Sequence, residues 1–584
     1  MKWRPQYLVD EKFFRLSETS FPENSPKLSP HDIFFRQNYK SPFTLIKMPI
    51  ISSDAAELAI SNIANFGDTD IFPFPIENHI FFDAPDDVKK ILFYIDADFE
   101  KASSDIPILS SKDLSVVGYS GFRWGTQIDP IWNAYLLALT LTIAGDLEKR
   151  RVSNQIVFSY RHLPQKDKHS IFDREIGWHQ FQEKSIEMVK SFDYVLRCDI
   201  SDFYPRIYHH RLENALSAAT NNRSASNRIM KILGAISGGA SYGLPVGGPA
   251  SRILSEILLN RIDRLLIGEQ IKFCRFVDDY VIFANSREEA YTALINLTSL
   301  LLNNEGLSLQ KAKTRVMSRA EFLGTSEFSI ETKNEESQDE EQERAFRRLR
   351  VYYDPYSPTA ESDYQQLRSE LDNFDIVGML GRELAKSRVD ESLTRRLISA
   401  LKHLAPAVQN DAVLSLLKSI DLLYPIFPSV MNLCRGLIDI LTPQVKDELY
   451  KTLRNLITDN SYVTQVPTNL AFSLRTLASD NSEETEILLA SAFKRSDSMM
   501  VRRDIILMMA QRRADHWVSN CRRSFSTLTI WERRALLVSS YTLGDEGEHW
   551  RKSIRRDLNE FDKLLLKWAG DAKAKKGDAW QVIL

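Results

Sequence analysis

The sequence predicts an α+β domain followed by an all-α helical-repeat domain. Three observations lead there. Short aromatic and β-branched runs at Tyr194–Cys198, Phe273–Val277 and Tyr280–Phe283 read as strands, and each runs into or out of an aspartate. Between the first and second runs, GLPVGGPASRILSEILLNRID (Gly243 to Asp263) is a Gly/Pro-rich loop opening a helix. Ile253, Ile257 and Leu258 share one face of that helix, and Ile262 follows a turn later. From Ala345 onward, helix-length segments of roughly ten to fifteen residues succeed one another. Their breaks fall at Pro406, Pro425, Pro443 and Pro467, the pattern of stacked helix pairs.

The chain has 584 residues, too many for one core, so several domains are expected. Hydrophobic residues make up 43% and charged residues 26%, which excludes a disordered or fibrous class. A net charge of −3 argues against a broad basic surface and for a local basic channel if nucleic acid is bound. The four cysteines, Cys198, Cys274, Cys434 and Cys521, lie far apart and form no zinc spacing or disulfide framework. No apolar run approaches the roughly 18 residues that span a bilayer. The longest, Ala134 to Gly145, is interrupted by threonines. The N-terminal segment lacks the apolar core of a signal peptide, so a cytoplasmic protein with no membrane partner is expected.

Residues 1–120 carry proline-rich stretches and one expected strand, NHIFFDA or KKILFYIDA, but no chemical motif. Residues 129–150 read as a helix, with Asp129 as N-cap, Pro130 in the first turn and Glu148, Lys149 and Arg150 at the end. The chemistry concentrates further on. Asp199 closes one strand run, and the pair Asp278–Asp279 sits at the turn between two others. Carboxylates beside apolar residues are costly unless a cation neutralises them. Hard divalent metals with oxygen ligands are the usual neutraliser. Three strand-end carboxylates can hold two such ions, which clamp the attacking and leaving oxygens of a phosphoryl transfer. Asp199, Asp278 and Asp279 are therefore the expected ligands of two Mg²⁺, or Mn²⁺ in their place. Asp278 is expected to bind more directly, with the Ile200 carbonyl as a further ligand.

Strand–Asp, Gly-rich loop and helix, then strand–Asp-Asp–strand is an order that resembles the palm of a reverse transcriptase. The resemblance continues through EGLSLQKAKTRVMS (Glu305 to Ser318) and EFLGTSEF (Glu321 to Phe328). It implies a right-hand polymerase palm and fingers over residues 121–330. The first segment puts Lys313 at the position of the lysine that protonates leaving pyrophosphate, and the second resembles a primer-grip hairpin. Tyr204, five residues after Asp199, occupies the place of the ring that excludes a 2′-hydroxyl, which implies dNTP substrates. Phe203 beside it is placed with it on the nucleotide side, though as packing more than as the gate. Val246 stands where most reverse transcriptases carry glutamine, next to Gly247 of the nucleotide-side loop. Arg161 and Lys166, in the finger region, are weaker expectations for triphosphate contact.

DISDFYPRI, GLPVG and ASRILSE together are similar to the bacterial abortive-infection and defence-associated reverse transcriptases. That likeness implies nucleic-acid partners (an RNA template, a DNA product or both), homo-oligomers, and DNA synthesis that stops phage. It also leaves open priming on a protein hydroxyl; Tyr356, Tyr424, Tyr450, Tyr462 and Tyr541 are the tyrosines to consider. A retron or intron type enzyme copying a dedicated RNA is the alternative within enzymes. An inactive palm acting as an RNA-binding or oligomerising scaffold is the alternative outside them.

The acidic run within 331–345 reads as a linker or the start of an exposed helix, and 346–584 as a HEAT-like helical-repeat domain. Arg-Arg pairs at 502–503, 512–513, 522–523 and 533–534 read as decoration of solvent-facing turns rather than a phosphate ladder, because Asp504, Asp515 and Glu532 are interleaved. Trp517, Trp531, Trp550 and Trp568 read as core.

Overall fold

The computed structural model describes residues 49–325, 338–349 and 360–584. Four helices come first: α1 (Ser53–Phe66), α2 (Glu77–Asp83), α3 (Pro85–Ala97) and α4 (Phe99–Asp105). The strand expected in this region is absent, since NHIFFDA forms α2 and KKILFYIDA forms most of α3. Pro85 starts α3, with Asp86 and Asp87 in its first turn, and Val88, Ile91, Leu92 and Ile95 are buried along one face. That helical period outweighs the β-branched composition. A hairpin follows, β1 (Ser110–Val117) paired with β2 (Gly121–Ile128), so a boundary at 120/121 would fall inside it. Next comes α5 (Pro130–Arg150), as expected, with the Asp129 carboxylate accepting from the Ile131 amide. It is buried on nearly every side, so it forms the axis around which the neighbouring helices pack. A short hairpin, β3 (His162–Gln165) with β4 (Ser170–Phe172), and α6 (Trp178–Val189) precede the main sheet.

That sheet is antiparallel and four-stranded. Its strands are β5 (Tyr194–Asp199), β6 (Lys272–Phe276), β7 (Asp279–Ala284) and β8 (Arg315–Ser318), in spatial order β6-β7-β5-β8. Between β5 and β6 run α7 (Phe203–Arg206), α8 (His209–Ala219), α9 (Arg223–Ile236) and α10 (Pro249–Gly268); α11 (Arg287–Glu305) follows β7. Alternate strand residues point to opposite faces. Leu196, Cys198, Tyr280 and Ile282 join the large core that includes Leu297 and Leu301 of α11. Val195, Cys274, Val281 and Phe283 join a second core with Phe181 of α6 and Phe322. The sheet is thus covered on both faces, which is why its strands read as continuous apolar runs. The expected primer-grip hairpin is not seen where residues are described. Arg319–Thr325 forms helix α12, and its Phe322 and Leu323 are buried; residues 326–328 lie outside the described residues.

From Gln338 on, every described element is helical, beginning with α13 (Gln338–Arg348), so part of the expected linker is helix. This region is bonded to the first hundred described residues along its length. Tyr119 donates to the Leu422 carbonyl and accepts from the Val389 amide; Thr468 donates to Leu114, Arg475 to Phe74, and Trp568 to Asp83. Two of the four arginine pairs, 502–503 and 533–534, correct the sequence reading, whereas Arg513 and Arg523 are exposed as expected. Arg503 and Arg534 are fully buried. Arg534 binds Asp129 at 2.6 Å and Asp562 at 2.9 Å, with Glu77 at 3.4 Å. Arg503 binds Asp504 at 2.9 Å and Gln127 at 3.2 Å, and Arg502 pairs with Glu532. Of the interleaved acids, Asp504 and Glu532 are partners inside the protein, while Asp515 is exposed. The repeat periodicity alone could not reveal the contacts with Gln127, Asp129 and Glu77, which lie hundreds of residues away. No helix among the described residues is long and apolar enough to cross a membrane, and all four cysteines are free thiols.

Candidate active site

Asp199 ends β5 and lies in register with Asp279, the first residue of β7. A two-residue turn, Val277–Asp278, joins β6 to β7 across the pair Phe276–Asp279. The Ile200 amide donates to the Asp278 carbonyl at 3.1 Å, fixing that turn beside the end of β5. The three aspartates predicted from sequence therefore meet at one end of the sheet. Burial, then the Asp199 and Asp279 charges, push the Asp278 carboxyl up to about 7. Burial and Asp199 push Asp279 up to about 6, against the pull of Arg197 and Lys313. Three carboxylates share a site short of positive charge.

Lys313 supplies part of that charge. It lies in a single 3-10 turn, Lys311–Lys313, and its ammonium donates to Asp199 Oδ2 at 2.6 Å. Burial works against its charge, but the Asp199 bond and the neighbouring carboxylates outweigh it and raise its pKa. The side chain is still 65% exposed, so it can swing toward a ligand. Among the described residues no three His, Cys, Asp or Glu side chains are gathered closely enough to cage a metal ion as they stand. The donor chemistry nevertheless suits a hard divalent cation. The carboxylates lack countercharge, and an ammonium holds the place of a cation on Asp199. The Ile200–Leu309 bridge uses the Ser201 amide and the Asp199 carbonyl, which leaves the Ile200 carbonyl outside its bonds.

The support beneath the turn was not read from the sequence. Arg275 of β6 is fully buried; it binds Asp263 at 2.7 and 2.8 Å and Glu256 at 3.0 Å, both on α10. Its third arm donates to the Val277 carbonyl at 2.7 Å. Arg151 and Ser159 complete the Glu256 contacts at 2.7 and 2.6 Å. Val277 has φ +53°, a left-handed conformation costly for a β-branched residue, on the order of 1–3 kcal/mol. The guanidinium grip on its carbonyl holds that strain and so orients Asp278. The available signal was Glu256 and Asp263, seven residues apart on an otherwise apolar helix face.

Tyr204 sits in α7, immediately beyond β5. Its carbonyl accepts from the Leu244 amide at 2.8 Å, tying α7 to the Gly-rich loop. The phenol is half-buried, bonded to Ser255, and burial raises its pKa well above the ordinary value. Tyr160 and Arg252 lie beside it, with the Arg252 guanidinium 5.1 Å from the Tyr160 ring centroid. Phe203 is buried in the main core, so its ring does not face a nucleotide. Val246 is half-buried and lines a cavity of about 300 Å³ with Tyr242, Pro205 and Trp124. Gly247 has φ +103°, and a Cβ there would collide with Thr69 and Asp70; its glycine is required by the close approach of that loop. Arg161 is only 11% exposed and is engaged by Glu148 at 2.6 Å and the Val152 carbonyl at 3.0 Å, a structural role in place of the expected triphosphate contact. Lys166 is exposed and pairs with Asp54 at 2.9 Å.

The site is thus an antiparallel sheet carrying Asp199 and Asp278–Asp279 at one end, with a Gly-rich loop and the helix α10 following β5 in the chain. Residues 147–326 match the family model "Reverse transcriptase (RNA-dependent DNA polymerase)". No curated protein matches the sequence. Among solved structures, the chain is similar to telomerase from Candida albicans in complex with a TWJ fragment of telomeric RNA, at 11% identity and TM-score 0.28, over 62% of this chain and 66% of that one. Apo telomerase from Candida tropicalis matches at 12% identity and TM-score 0.27, over 62% and 68%. The chain thus spans about two thirds of the length of these structures.

Proposed function

We propose that the protein is a reverse-transcriptase-like DNA polymerase that extends a primer hydroxyl with dNTPs. The observation that carries this reading is the convergence of Asp199, Asp278 and Asp279 at one sheet end, with Lys313 on Asp199. Those carboxylates and the Ile200 carbonyl would hold two Mg²⁺. When bound, the ions lower the barrier to in-line displacement at the α-phosphorus. The chain's own groups do the remainder. Arg275 orients the Asp278 turn, Tyr204 limits the space beside the sugar, and Lys313 carries a proton to the departing pyrophosphate oxygen. Purified protein incubated with each dNTP and Mg²⁺ should incorporate label. Separate digestion of the product with protease, RNase and DNase then identifies primer and template. No incorporation under any of these conditions would leave the scaffold reading in its place.

Two substitutions probe the roles. Tyr204→Ala should raise NTP incorporation relative to dNTP roughly ten- to a hundredfold, measured as the ratio of kcat/KM values. A wild type that already prefers NTPs would contradict the assignment. Lys313→Ala should slow turnover by about 10²–10⁴-fold, while Lys311→Ala, two residues away, should change it little. Equal small effects would remove the proton-donor role.

A strand must also be held. The face of the β1–β2 hairpin presents Phe122 and Trp124, each 55% exposed, with Lys112 beside them. Trp124 and Lys112 line both the cavity at the Gly-rich loop and a second cleft against Pro467 and Arg495 of the helical region. Aromatic rings with flanking cations suit stacked bases and their phosphates. Trp124→Ala should weaken single-stranded DNA binding by about 1–3 kcal/mol, read by fluorescence anisotropy. Unchanged affinity would exclude the hairpin from the strand path.

The finer reading is a bacterial abortive-infection enzyme whose helical region is a HEAT-like solenoid and whose assembly is oligomeric; the motif likeness supports it. Protein priming is part of that reading. Tyr462 is 53% exposed and its hydroxyl lies 3.4 Å from Asp421, a group able to accept its proton. Tyr424 is buried, and Tyr541 donates to the Leu566 carbonyl. Tyr450 is half-buried, and Tyr356 lies outside the described residues. Tyr462 is therefore the first hydroxyl to test, by mass spectrometry of the protein–DNA adduct.

A further inference from the structure

The segment between α1 and α2 packs against the Gly-rich loop and leaves one acidic side chain there. Asp68, Thr69, Ile71, Phe72 and Pro73 are buried, and Asp70 among them is exposed. Its neighbours fix its place. The Asp68 carboxylate accepts from Asn78 at 3.3 Å and from Gln127 at 3.2 Å, and the Asp68 carbonyl accepts from Asn133 at 3.2 Å. Asp70 Oδ1 would stand 2.8 Å from a Cβ on Gly247, so the carboxylate lies against the backbone of that loop. Its Oδ2 accepts from the Arg252 guanidinium at 2.5 Å.

Arg252 faces the same side of α10 as Ser255, one turn on, which bonds the Tyr204 phenol. The guanidinium lies 5.1 Å from the Tyr160 ring centroid. That ring is 6.1 Å from the ring of Phe276, the residue before the Val277–Asp278 turn, and is within reach of the Asp278 charge. Tyr160 has φ +44°, a strained conformation for an aromatic residue, and its carbonyl accepts from Arg151 at 2.9 Å. Its ring is thus held between Arg252 and the aspartate turn. Arg151, Arg161 and Arg275 pair with carboxylates that are themselves mostly buried, so breaking those pairs would leave a charge in the interior. The Arg252 pair differs, because the Asp70 side chain is 59% exposed. Water solvates that carboxylate when the guanidinium leaves it, so the pair is cheap to open. A phosphate carries more negative charge and meets the guanidinium fork with two oxygens, where Asp70 gives it one.

We propose that Arg252 is a phosphate-binding residue of the nucleotide site, and that Asp70 is an internal counter-ion which the phosphate displaces. The phosphate belongs to the incoming nucleotide or to the bound strand; both present the same group to a guanidinium. The proposal rests on the polymerase reading for the site it serves, but its test reads binding and not incorporation. A protein that incorporates nothing counts against that reading, and only the affinities below count against this one.

The full chain is titrated calorimetrically with inorganic triphosphate and Mg²⁺, and by fluorescence anisotropy with labelled single-stranded oligothymidylate. The first probe stands for the incoming nucleotide and the second for the strand. Asp70→Asn should tighten one of the two by about two- to fivefold, and the probe that responds identifies the source. Arg252→Gln should weaken that same probe about tenfold. In the Arg252→Gln background Asp70→Asn should change nothing further, because its effect runs through the guanidinium. Glu100→Gln removes the same charge from the exposed pair with Lys231 and should change neither affinity. The proposal is overturned if wild type binds neither probe, or if Asp70→Asn leaves both affinities unchanged or weaker. It is overturned equally if the Asp70→Asn effect persists without Arg252, or if Glu100→Gln reproduces it. Should Arg252→Gln fail to fold, the comparison of Asp70→Asn with Glu100→Gln, both at the surface, still decides.

Discussion

Replacing Asp278 with asparagine is expected to abolish nucleotide incorporation, by at least about 10³-fold, while leaving the fold intact or slightly more stable. Both halves follow from the same environment. The Asp278 carboxyl is pushed up to about 7 by burial and by Asp199 and Asp279. A group whose folded pKa lies above its unfolded value costs stability once the pH exceeds the unfolded value, and the cost is complete above the folded one. Asparagine has nearly the same shape and no charge, so the variant escapes that cost at pH 8. It also removes one of the carboxylates that would hold the ions, and with it the charge they need. Incorporation of labelled dNTP and a thermal melt at pH 8, run side by side, check the expectation. Incorporation within tenfold of wild type would rule Asp278 out of the chemistry. A collapse of the melt with loss of incorporation would mean the residue is structural.

The aspartate cluster was legible in the sequence because its signal is local. Each carboxylate ends, begins or separates apolar runs, and the two-residue turn at Val277–Asp278 pairs the runs on either side of it. The cap of α5 was legible for the same reason, since Asp129 and Pro130 act within one turn. What escaped depends on distance. Arg275 looks like an interruption of an apolar strand until α10 brings Glu256 and Asp263 to it. Arg161 looks like a free cation until Glu148 meets it. The expected N-terminal strand failed for another reason. Ile80, Phe81 and Ile91 suit a pleated sheet in composition, but burial on one face at helical spacing decided α2 and α3. The expected primer grip failed likewise, with Phe322 and Leu323 buried on α12.

The buried arginines lead to the other large effect. Arg534→Met is expected to destabilise the protein by about 3–5 kcal/mol, the cost of breaking a buried ion network from one side. The Arg534 guanidinium bonds Asp129 and Asp562, approaches Glu77, and lies 4.7 Å over the Phe561 ring. Methionine would leave three carboxylates in the interior with no cation of their own. Asp129 also caps α5, the axis against which α8, α9 and α10 pack, so the disturbance reaches the helices behind the aspartates. Arg533→Ala is the control. That neighbour donates to the carbonyls of Phe525 and Ser526 near the surface, and its loss should cost under about 1 kcal/mol. The same reasoning governs a chain ended at Glu340. It would lack Arg534 and Arg503 as well as Arg475, which donates to Phe74, and so expose the faces of α2, α3 and the β1–β2 hairpin that now pack against helices. Such a chain should fail to melt cooperatively and should make no long DNA. Denaturant titration of both point variants, and incorporation by the shortened chain, measure this. If the shortened chain folded cooperatively and matched full-length activity, the helical region would be a detachable tail and its ion pairs incidental. If instead it failed while Arg534→Met behaved like Arg533→Ala, the coupling would run through apolar packing and not through the buried charges.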